Sequence, residues 1–528
     1  MSVPGTSLSR ARLLPRLWWL PAAVAFTVLR LPSLLQPHWY TDEAGYASAG
    51  REMLHGRVPY SDIWNNKPPL HLATVGAVVR LAGSSETALH LLTFAFGAIA
   101  LAGAAYLSVH VFSPLKAATV TLLAAGLLGL PLFDADLAIP ESLLIAPATW
   151  AAAIVIVRLH RGRSEGVGWA VAAGLLAAAT VCFQQTALAD AGALGLILLV
   201  HPRARVRHFA AYALAAVLAT LAWVVPFAVL AGPRTLGFAM IGFYAGDYNL
   251  SALPDAHTPL HYALLGLCVV FAVGGAVAAR LCMGRTGAAG GAAWMLGVWA
   301  VATLLVPAAA QQPFPHFAAP AALPTLLAVA AFLPDRGLRL AWRPAAALAA
   351  APLVAAVVIA GLMARSAGVD WIPHWDSGST NGYRTLSTYY VGAMEAWTGH
   401  LSWTDWEQQW DNRAPADTAV SAWLREHGLS GHRAVVWSSD AWPYLLADLP
   451  VLLPTAPIYN DEVLLGQNGE VTDRVRLLEP EIIVTSDDAV ATFPEINPLV
   501  KSHYREVFAS APDHVFLRDG DAVPGSGP

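Results

Sequence analysis

The feature that most constrains this chain is a series of apolar segments, each long enough to cross a lipid bilayer. A spanning helix needs about 20 residues. The segments lie near residues 16–35, 86–110, 116–133, 140–158, 167–184, 186–201, 208–231, 260–281, 288–308, 316–333 and 344–364. The shorter segment 68–83 begins with two prolines, so we expect it to be re-entrant or interfacial. The sequence therefore predicts a polytopic α-helical membrane protein with about eleven spans.

Arginine clusters predict how these spans are oriented. Positive residues favour the cytoplasmic side of a membrane. The clusters occur near residues 158–163, 203–207, 280–285 and 336–343. Two predicted spans separate each cluster from the next, so all four can lie on the cytoplasmic side together with Arg10, Arg12 and Arg16. We therefore predict a multi-pass protein of the plasma (inner) membrane. The first loop (36–85) and everything after residue 364 would then be extracytoplasmic.

The end of the chain changes character. Residues 365–413 are rich in aromatic residues, and Trp403, Trp406 and Trp410 share one helical face, which is typical of an interfacial anchor or of a surface for sugar rings. We predict that residues 1–364 form the membrane domain, 365–413 a juxtamembrane linker and 414–528 an extracytoplasmic α/β domain. In that domain, Asp417 is expected to cap a helix that ends at Glu426, and strands are expected at 433–437, 481–485 and 514–517.

The first outer loop carries an unusual group of polar residues. Asp42 and Glu43 follow the first span directly, and Lys67 precedes Pro68-Pro69. If Thr41 or Asp42 caps a helix, Asp42 and Tyr46 lie on one face, four residues apart. A carboxylate there can accept a proton from a hydroxyl nucleophile, and the ammonium can pair with an anion at the headgroup level. A plain helix cap and a lysine that reaches the interface are the simpler alternatives.

Four further positions are candidates on the predicted outer side. Glu141 follows Pro140, where it can be either an ordinary helix start or a second acid that positions an acceptor or a metal. His316 opens a later span, where it can be an ordinary interfacial residue or part of the site. Asp247 and Tyr248, in the segment that begins at Tyr244, lie on a long loop; they can contact an acceptor or simply be solvated.

These residues resemble a known family. The Asp-Glu pair after the first span, Tyr46, and the run Lys67-Pro68-Pro69-Leu70 resemble the GT-C superfamily of membrane glycosyltransferases. The most similar branch is the group of protein O-mannosyltransferases and lipid A aminoarabinose transferases. The resemblance is most specific in residues 38–70 and weaker at Pro140-Glu141 and Pro315-His316-Phe317.

The resemblance implies a polyprenyl-phosphate sugar as donor, used at the outer face of the membrane. It makes Asp42 the catalytic carboxylate and Glu141 the second acid, with Tyr46 and Lys67 on the donor phosphate. We add Glu43 to the catalytic candidates, His316 to the phosphate-binding ones, and Tyr244, Asp247 and Tyr248 as acceptor-binding residues. Asn66 stands where the family often has an acid, and a lysine often found near Gln184-Gln185 is absent. Use of a divalent metal ion therefore stays open.

The predicted function is transfer of a hexosyl or pentosyl group to an acceptor hydroxyl of a protein, a lipid or a cell-wall glycan. The chain has no glycine-rich nucleotide motif and no basic stripe, so we expect no nucleic-acid partner. Two alternatives belong to other classes: a transporter or flippase of a lipid-linked sugar, and an inactive scaffold. A transporter would be expected to carry charged residues at mid-bilayer depth and paired broken helices.

Overall fold

The computed structural model describes residues 17–247, 291–307, 315–333, 386–458 and 470–521. The predicted span 260–281, the predicted span 344–364 and the two arginine clusters beside them lie outside the described residues. So does Tyr248. The segment 365–385, which includes most of the predicted linker's first half, lies outside them as well.

Helices form at all the other predicted spans. Within the described part of the first 333 residues, the α-helices are α1 (Leu20–Arg30), α2 (Thr41–Leu54), α3 (Pro69–Ala82), α4 (Glu86–Val111), α5 (Pro114–Gly129), α6 (Pro140–His160), α7 (Gly168–Phe183), α8 (Leu188–Val200), α9 (Val206–Ala231), α10 (Pro233–Gly237), α11 (Gly291–Pro307) and α12 (Ala319–Phe332), with a π-helix at Phe238–Asp247. Among the described residues, α4, α6 and α9 are long and apolar enough to cross a membrane, and the remaining apolar helices are shorter. The number of spans stays a prediction.

Prolines begin several of these helices. Pro69, Pro114 and Pro140 stand at the first helical position of α3, α5 and α6, where a missing N–H costs nothing and the fixed φ angle favours the helix. Pro140 thereby fixes where α6 starts, which places Glu141 in its first turn.

Helices α2 and α3 pack tightly against each other because two glycines meet at their crossing. A Cβ atom built on Gly50 would lie 2.2 Å from the carbonyl oxygen of Leu72, and one built on Gly76 would lie 2.4 Å from the backbone of Gly50. Side chains at either position would therefore separate the helices. This contact fixes the position of Lys67, just before α3, relative to the residues of α2.

The C-terminal part is a small sheet with helices around it. Its elements are α13 (Leu386–Thr398), α14 (Trp403–Trp410), α15 (Ala414–Glu426), β1 (Ala434–Trp437), α16 (Trp442–Leu446), α17 (Glu470–Leu478), β2 (Ile482–Ser486), α18 (Asp487–Thr492), α19 (Asn497–His503), β3 (Tyr504–Ser510) and β4 (Asp513–Arg518). The strand order is β1-β2-β4-β3; β1 and β2 are parallel, and the other two pairs are antiparallel. The predicted strands are present, and β3 is an additional strand.

Two predicted helix caps are wrong. Helix α2 begins at Thr41, but its N-cap residue is Tyr40 and no side chain caps it. The Thr41 hydroxyl instead accepts a hydrogen bond from the N–H of Ala441 and donates one to the carbonyl of Ser439. Asp417 lies inside the first turn of α15, whose N-cap residue is Arg413, so it does not cap that helix either. In both cases a tertiary contact takes the group that a local cap would use.

The tryptophan face of α14 is used for packing inside the protein. Trp406 and Trp410 are buried in a cluster with Tyr389 and Ala393, and the ring of Trp39 joins them. The indole N–H of Trp406 donates to the carbonyl of Leu35, just before the first outer loop. Trp403 is the exposed member of the three. Two of the three rings therefore hold α14 against the segment that follows α1.

Candidate active site

The site begins at the N-terminal end of α2. The hydroxyl of Tyr46 donates a hydrogen bond to Asp42 Oδ2 over 2.9 Å, and the hydroxyl of Tyr40 lies 3.5 Å from the same oxygen. Asp42 is half-buried, whereas Tyr46 is buried. The spacing of four residues puts Asp42 and Tyr46 on one helix face. Two phenol groups therefore hold this carboxylate in one orientation while leaving part of it accessible.

Lys67 is brought to the same place from the far end of the loop. Its ammonium nitrogen lies 5.6 Å from the centroid of the Tyr46 ring, within the range of a cation–π contact. The backbone around it is fixed, because its N–H donates to Asn65 Oδ1 over 3.0 Å and its carbonyl accepts from the Tyr60 hydroxyl over 2.9 Å. The side chain is only 8% exposed. Tyr46 thus contacts both the Asp42 carboxylate and the Lys67 ammonium.

A second group of polar residues lies beside this pair. The side-chain amide of Gln184 donates to Glu141 Oε1 over 2.6 Å. The Nδ1 atom of His316 lies 3.1 Å from Asp134 Oδ2, and the His316 ring lies 6.3 Å from the Tyr40 ring. Glu141 and Lys67 both act electrostatically on His316. The structure therefore gathers Lys67, Glu141 and His316, which come from three separate parts of the chain.

Asp134 is a site residue that the sequence interpretation did not select. It has a φ angle of +54°, and Phe133 before it has +56°. Non-glycine residues rarely adopt this left-handed conformation, and where they do they are often at functional sites. The Ser142 hydroxyl donates to the carbonyl of Asp134 over 3.2 Å. The available signal was the acidic pair Asp134 and Asp136 just before Pro140-Glu141.

Glu43 is not brought into this group. It is buried, and its Oε1 accepts a hydrogen bond from the backbone N–H of Ala138 while its Oε2 lies 3.5 Å from Nε2 of His90. These partners belong to α4 and to the segment before α6. The geometry gives Glu43 an anchoring contact between α2 and two neighbouring elements.

The three acceptor candidates fall at the edge of the described residues. Tyr244 and Asp247 are on the π-helix Phe238–Asp247, and their side chains, like all of Tyr248, lie outside the described part. The start of this helix does contact the Lys67 loop. The Gln185 amide lies 3.3 Å from the carbonyl of Asn66 and 3.4 Å from that of Met240. The Trp64 and Phe243 rings are 5.1 Å apart.

The described ranges contain no group of three or more His, Cys, Asp or Glu side chains that could hold a metal ion. Asn66 precedes Lys67, and its backbone carbonyl accepts a hydrogen bond from the side-chain amide of Gln185.

The C-terminal part of the chain packs against α2 and the loop that follows it. Besides the two hydrogen bonds of Thr41, the N–H of Trp64 donates to the carbonyl of Pro454 over 2.6 Å. Near the other end of α2, Arg51 donates to the carbonyl of Tyr444 over 3.0 Å. Ala44 and Ala47 belong to the same hydrophobic cluster as Trp442 and Leu445. These contacts therefore help to fix the helix that carries Asp42 and Tyr46.

A buried acidic cluster lies within this contact region. Asp417, Asp440 and Asp513 are buried around Arg413, and Nε2 of His38 lies 4.0 Å from Asp417 Oδ2. Burial raises the pKa of Asp513 to about 7, and the neighbouring Asp440 carboxylate adds to the effect. Burial followed by the Asp440 and Asp513 charges raises the pKa of Asp417 well above its usual range. Arg413 also pairs with the buried Asp411 over 2.9 Å, so four carboxyl groups surround one guanidinium.

We expect the protein to lose stability as the pH rises. The pKa values of Asp417 and Asp513 are higher in the folded protein than the value of about 4 that aspartate has in an unfolded chain. Their contribution is therefore present below pH 4 and is lost as the pH rises through about 7. Thermal unfolding followed by tryptophan fluorescence should give a Tm about 5 °C lower at pH 8 than at pH 5.

Two variants test the origin of this pH effect. Asp513→Asn should reduce the difference between the two Tm values, because the amide cannot ionise. Asp473→Asn removes an exposed carboxylate of α17 and should leave the difference unchanged. An equal or higher Tm at pH 8 in the unmodified protein would contradict the assignment.

Comparisons with known proteins place the fold. No protein-family model matches the chain, and no curated protein does. The structure is similar to that of ArnT from Cupriavidus metallidurans bound to undecaprenyl phosphate, with a TM-score of 0.55, 17% identity, and coverage of 94% of this chain and 97% of that one. The apo state of ArnT from the same organism gives a TM-score of 0.53 and 16% identity over 96% and 98% of the two chains.

A weaker similarity links the chain to the archaeal oligosaccharyltransferase AglB from Archaeoglobus fulgidus in complex with an inhibitory peptide and a dolichol-phosphate. Its TM-score is 0.42, with 13% identity over 94% of this chain and 74% of AglB. The two ArnT structures show that the chain has the fold of ArnT over almost its full length. The resemblance predicted from the sequence is therefore confirmed at the level of the fold.

Proposed function

We propose that this chain, which has the GT-C fold, transfers a sugar from a polyprenyl-phosphate donor to the hydroxyl of an acceptor. The observation that carries the proposal is the contact of one residue, Tyr46, with both Asp42 and Lys67. A carboxylate oriented by a phenol and an ammonium over the same ring form a proton acceptor next to an anion-binding group. Glycosyl transfer from a lipid phosphate requires these two functions side by side.

Each of the two groups has one role in the proposed reaction. The acceptor oxygen attacks the anomeric carbon, and Asp42 accepts the proton that this oxygen loses. The bond between the anomeric carbon and the phosphate oxygen breaks, and its electron pair leaves with the polyprenyl phosphate. Lys67, which lies over the ring of Tyr46, neutralises the negative charge that develops there, and His316 contributes a hydrogen bond. Such preorganised charge stabilisation is usually the largest contribution to catalysis.

The remaining candidates support these two groups. Glu141, whose carboxylate is held by Gln184, acts as the second acid and orients the acceptor. Asp134 holds the ring of His316 through the contact at 3.1 Å. Glu43 takes part indirectly, by anchoring α2. Tyr244, Asp247 and Tyr248 contact the acceptor, in agreement with the position of the π-helix beside the Lys67 loop.

The proposal extends to the membrane. The chain is multi-pass in the plasma membrane, the arginine clusters lie in the cytoplasm, and the site with the C-terminal domain lies outside. Its units are the membrane domain 1–364, the linker 365–413 and the extracytoplasmic domain 414–528. The donor carries a hexosyl or pentosyl group. ArnT was solved with undecaprenyl phosphate bound, which supports a lipid donor of the same class for this fold.

An assay of the purified protein in proteoliposomes separates the possible functions. Liposomes contain radiolabelled polyprenyl-phosphate mannose, with membrane extract as the source of acceptors. Label that appears in a product no longer linked to the lipid, only when the protein is present, supports a transferase. Label that moves from one leaflet to the other while still attached to the polyprenyl phosphate identifies a flippase instead. No change with mannose, glucose, arabinose or aminoarabinose donors would contradict both activities and favour a scaffold.

A further inference from the structure

A cleft of about 440 Å³ lies between the membrane domain and the C-terminal domain, at the far end of α2 from Asp42. Its polar lining comprises Arg51 and His55 from the end of α2, Arg80 from the last turn of α3, and Arg425 and Asp448 from the C-terminal domain. Three guanidinium groups therefore face one space together with a single carboxylate.

The positive charge of this cleft is only partly compensated. Arg51 is buried and lies 3.1 Å from Asp448 and 3.4 Å from Glu52, so its charge is already paired. Arg80 and Arg425 are exposed, and within the described part of the chain neither guanidinium makes a hydrogen bond or an ion pair with another residue. Two like charges around one cavity repel each other unless an anion lies between them.

The cleft lies at the surface of the membrane. Helix α3 ends at Ala82, and α4, which is long and apolar enough to span, begins only a few residues later at Glu86. Arg80 must therefore be near the end of a spanning helix. Leu81, next to it, is 87% exposed, and Leu54 beside the cleft is also exposed. A phospholipid has its phosphate directly above its acyl chains. At the end of a spanning helix, the arginines can therefore contact the phosphate while the exposed leucines contact the acyl chains.

The cleft is separate from the candidate active site. Arg51 and Asp42 lie on the same helix, nine positions apart, which corresponds to about 13 Å along its axis. A group bound at Arg80 and Arg425 is therefore not in contact with the Asp42 carboxylate. The residues that line the cleft also have no part in the proposed transfer.

We propose that this cleft binds the phosphate of an anionic phospholipid from the surrounding leaflet. Arg80 belongs to the membrane domain and Arg425 to the C-terminal domain, so one phosphate between them links the two domains. Guanidinium groups suit this role because each can form two parallel hydrogen bonds to phosphate oxygens. The bound lipid would hold the C-terminal domain on α2. The inference does not depend on the identity of the sugar donor or on any transfer reaction.

The test measures lipid binding by the full-length protein in a neutral detergent. Native mass spectrometry follows the binding of phosphatidylglycerol, with phosphatidylcholine as the lipid without net charge. We expect phosphatidylglycerol to bind more tightly. The double variant Arg80→Gln/Arg425→Gln should raise its Kd by about 10- to 30-fold. Arg476→Gln removes an exposed arginine of α17, far along the chain, and should leave the Kd unchanged. Both variants should show the unmodified Tm when lipid is absent, because the replaced side chains are exposed.

Several outcomes would overturn the inference. An unchanged Kd in the double variant would mean that the cleft is not the binding site. Equal binding of phosphatidylcholine would mean that charge does not direct binding. If millimolar inorganic phosphate displaces phosphatidylglycerol and stabilises the protein equally well, the cleft is a small-anion site and not a lipid site. A second expected result is a rise in Tm with phosphatidylglycerol that the double variant lacks.

Discussion

Replacement of Asp42 by asparagine is expected to reduce sugar transfer by about 10²- to 10⁴-fold, because general-base assistance usually contributes that much. Asparagine has nearly the same shape and keeps an oxygen that can accept the hydrogen bond from Tyr46. What it lacks is the ability to take up a proton. Initial rates of transfer from a radiolabelled polyprenyl-phosphate sugar, measured in proteoliposomes with equal amounts of inserted protein, give the comparison.

The control for this variant is Asp473→Asn, which makes the same change on the exposed surface of α17. It should transfer sugar at the unmodified rate. Because Asp42 is half-buried and bound to two tyrosines, we also expect Asp42→Asn to keep the Tm within a few degrees. Full activity in Asp42→Asn would remove the general base from the mechanism, even if Lys67 proves essential.

Long apolar runs in the sequence were sufficient to predict most of the helices in the first 333 residues. Long apolar runs predict helices because a backbone in lipid must satisfy its own hydrogen bonds, and α4, α6 and α9 form as expected. The pairing of Asp42 with Tyr46 was equally predictable, since it depends only on a spacing of four within one helix. Lys67 was predicted on the same side as Asp42 because both belong to the first outer loop, but the glycine contact that brings α2 and α3 together has no local signal.

Contacts between distant parts of the chain could not be predicted in this way. The hydroxyl of Thr41 meets Ser439 and Ala441 some 400 positions later, and no local pattern contains that information. The same applies to Asp134 and His316, which are 182 positions apart. Glu43 looked like a partner of Asp42 because it is adjacent in sequence, but neighbouring helical residues point in different directions, and Glu43 meets Ala138 and His90 instead.

The C-terminal sheet shows an intermediate case. The buried strands β1 and β2 were recognisable as short apolar runs, and they form a parallel pair. Strand β3, Tyr504–Ser510, was missed because it has mostly exposed or half-buried side chains and little apolar alternation. An edge strand of this kind is defined by its pairing with β4, not by its own residues. The mixed direction of the sheet could likewise not be deduced from the strands one by one.

The second large effect is expected for Lys67→Met. Methionine has a similar length and fills the same space, but it removes the ammonium that lies over Tyr46. Loss of one group that stabilises developing charge typically lowers the rate about 10²- to 10³-fold. Since Lys67 also attracts the donor phosphate before the reaction, KM for the polyprenyl-phosphate sugar should rise while kcat falls. Asp42→Asn, in contrast, should lower kcat and change KM little.

The chain provides a matched control, because it contains only three lysines. Lys501 is exposed on α19, and Lys501→Met should leave both kinetic constants unchanged. Lys67→Arg keeps the positive charge, so it should recover part of the lost rate. The recovery should be incomplete, because the larger guanidinium cannot occupy the same buried position. If Lys67→Met and Lys501→Met have equal activity, the ammonium does not bind the leaving phosphate. The role would then pass to His316, whose ring lies beside that of Tyr40 in the same site.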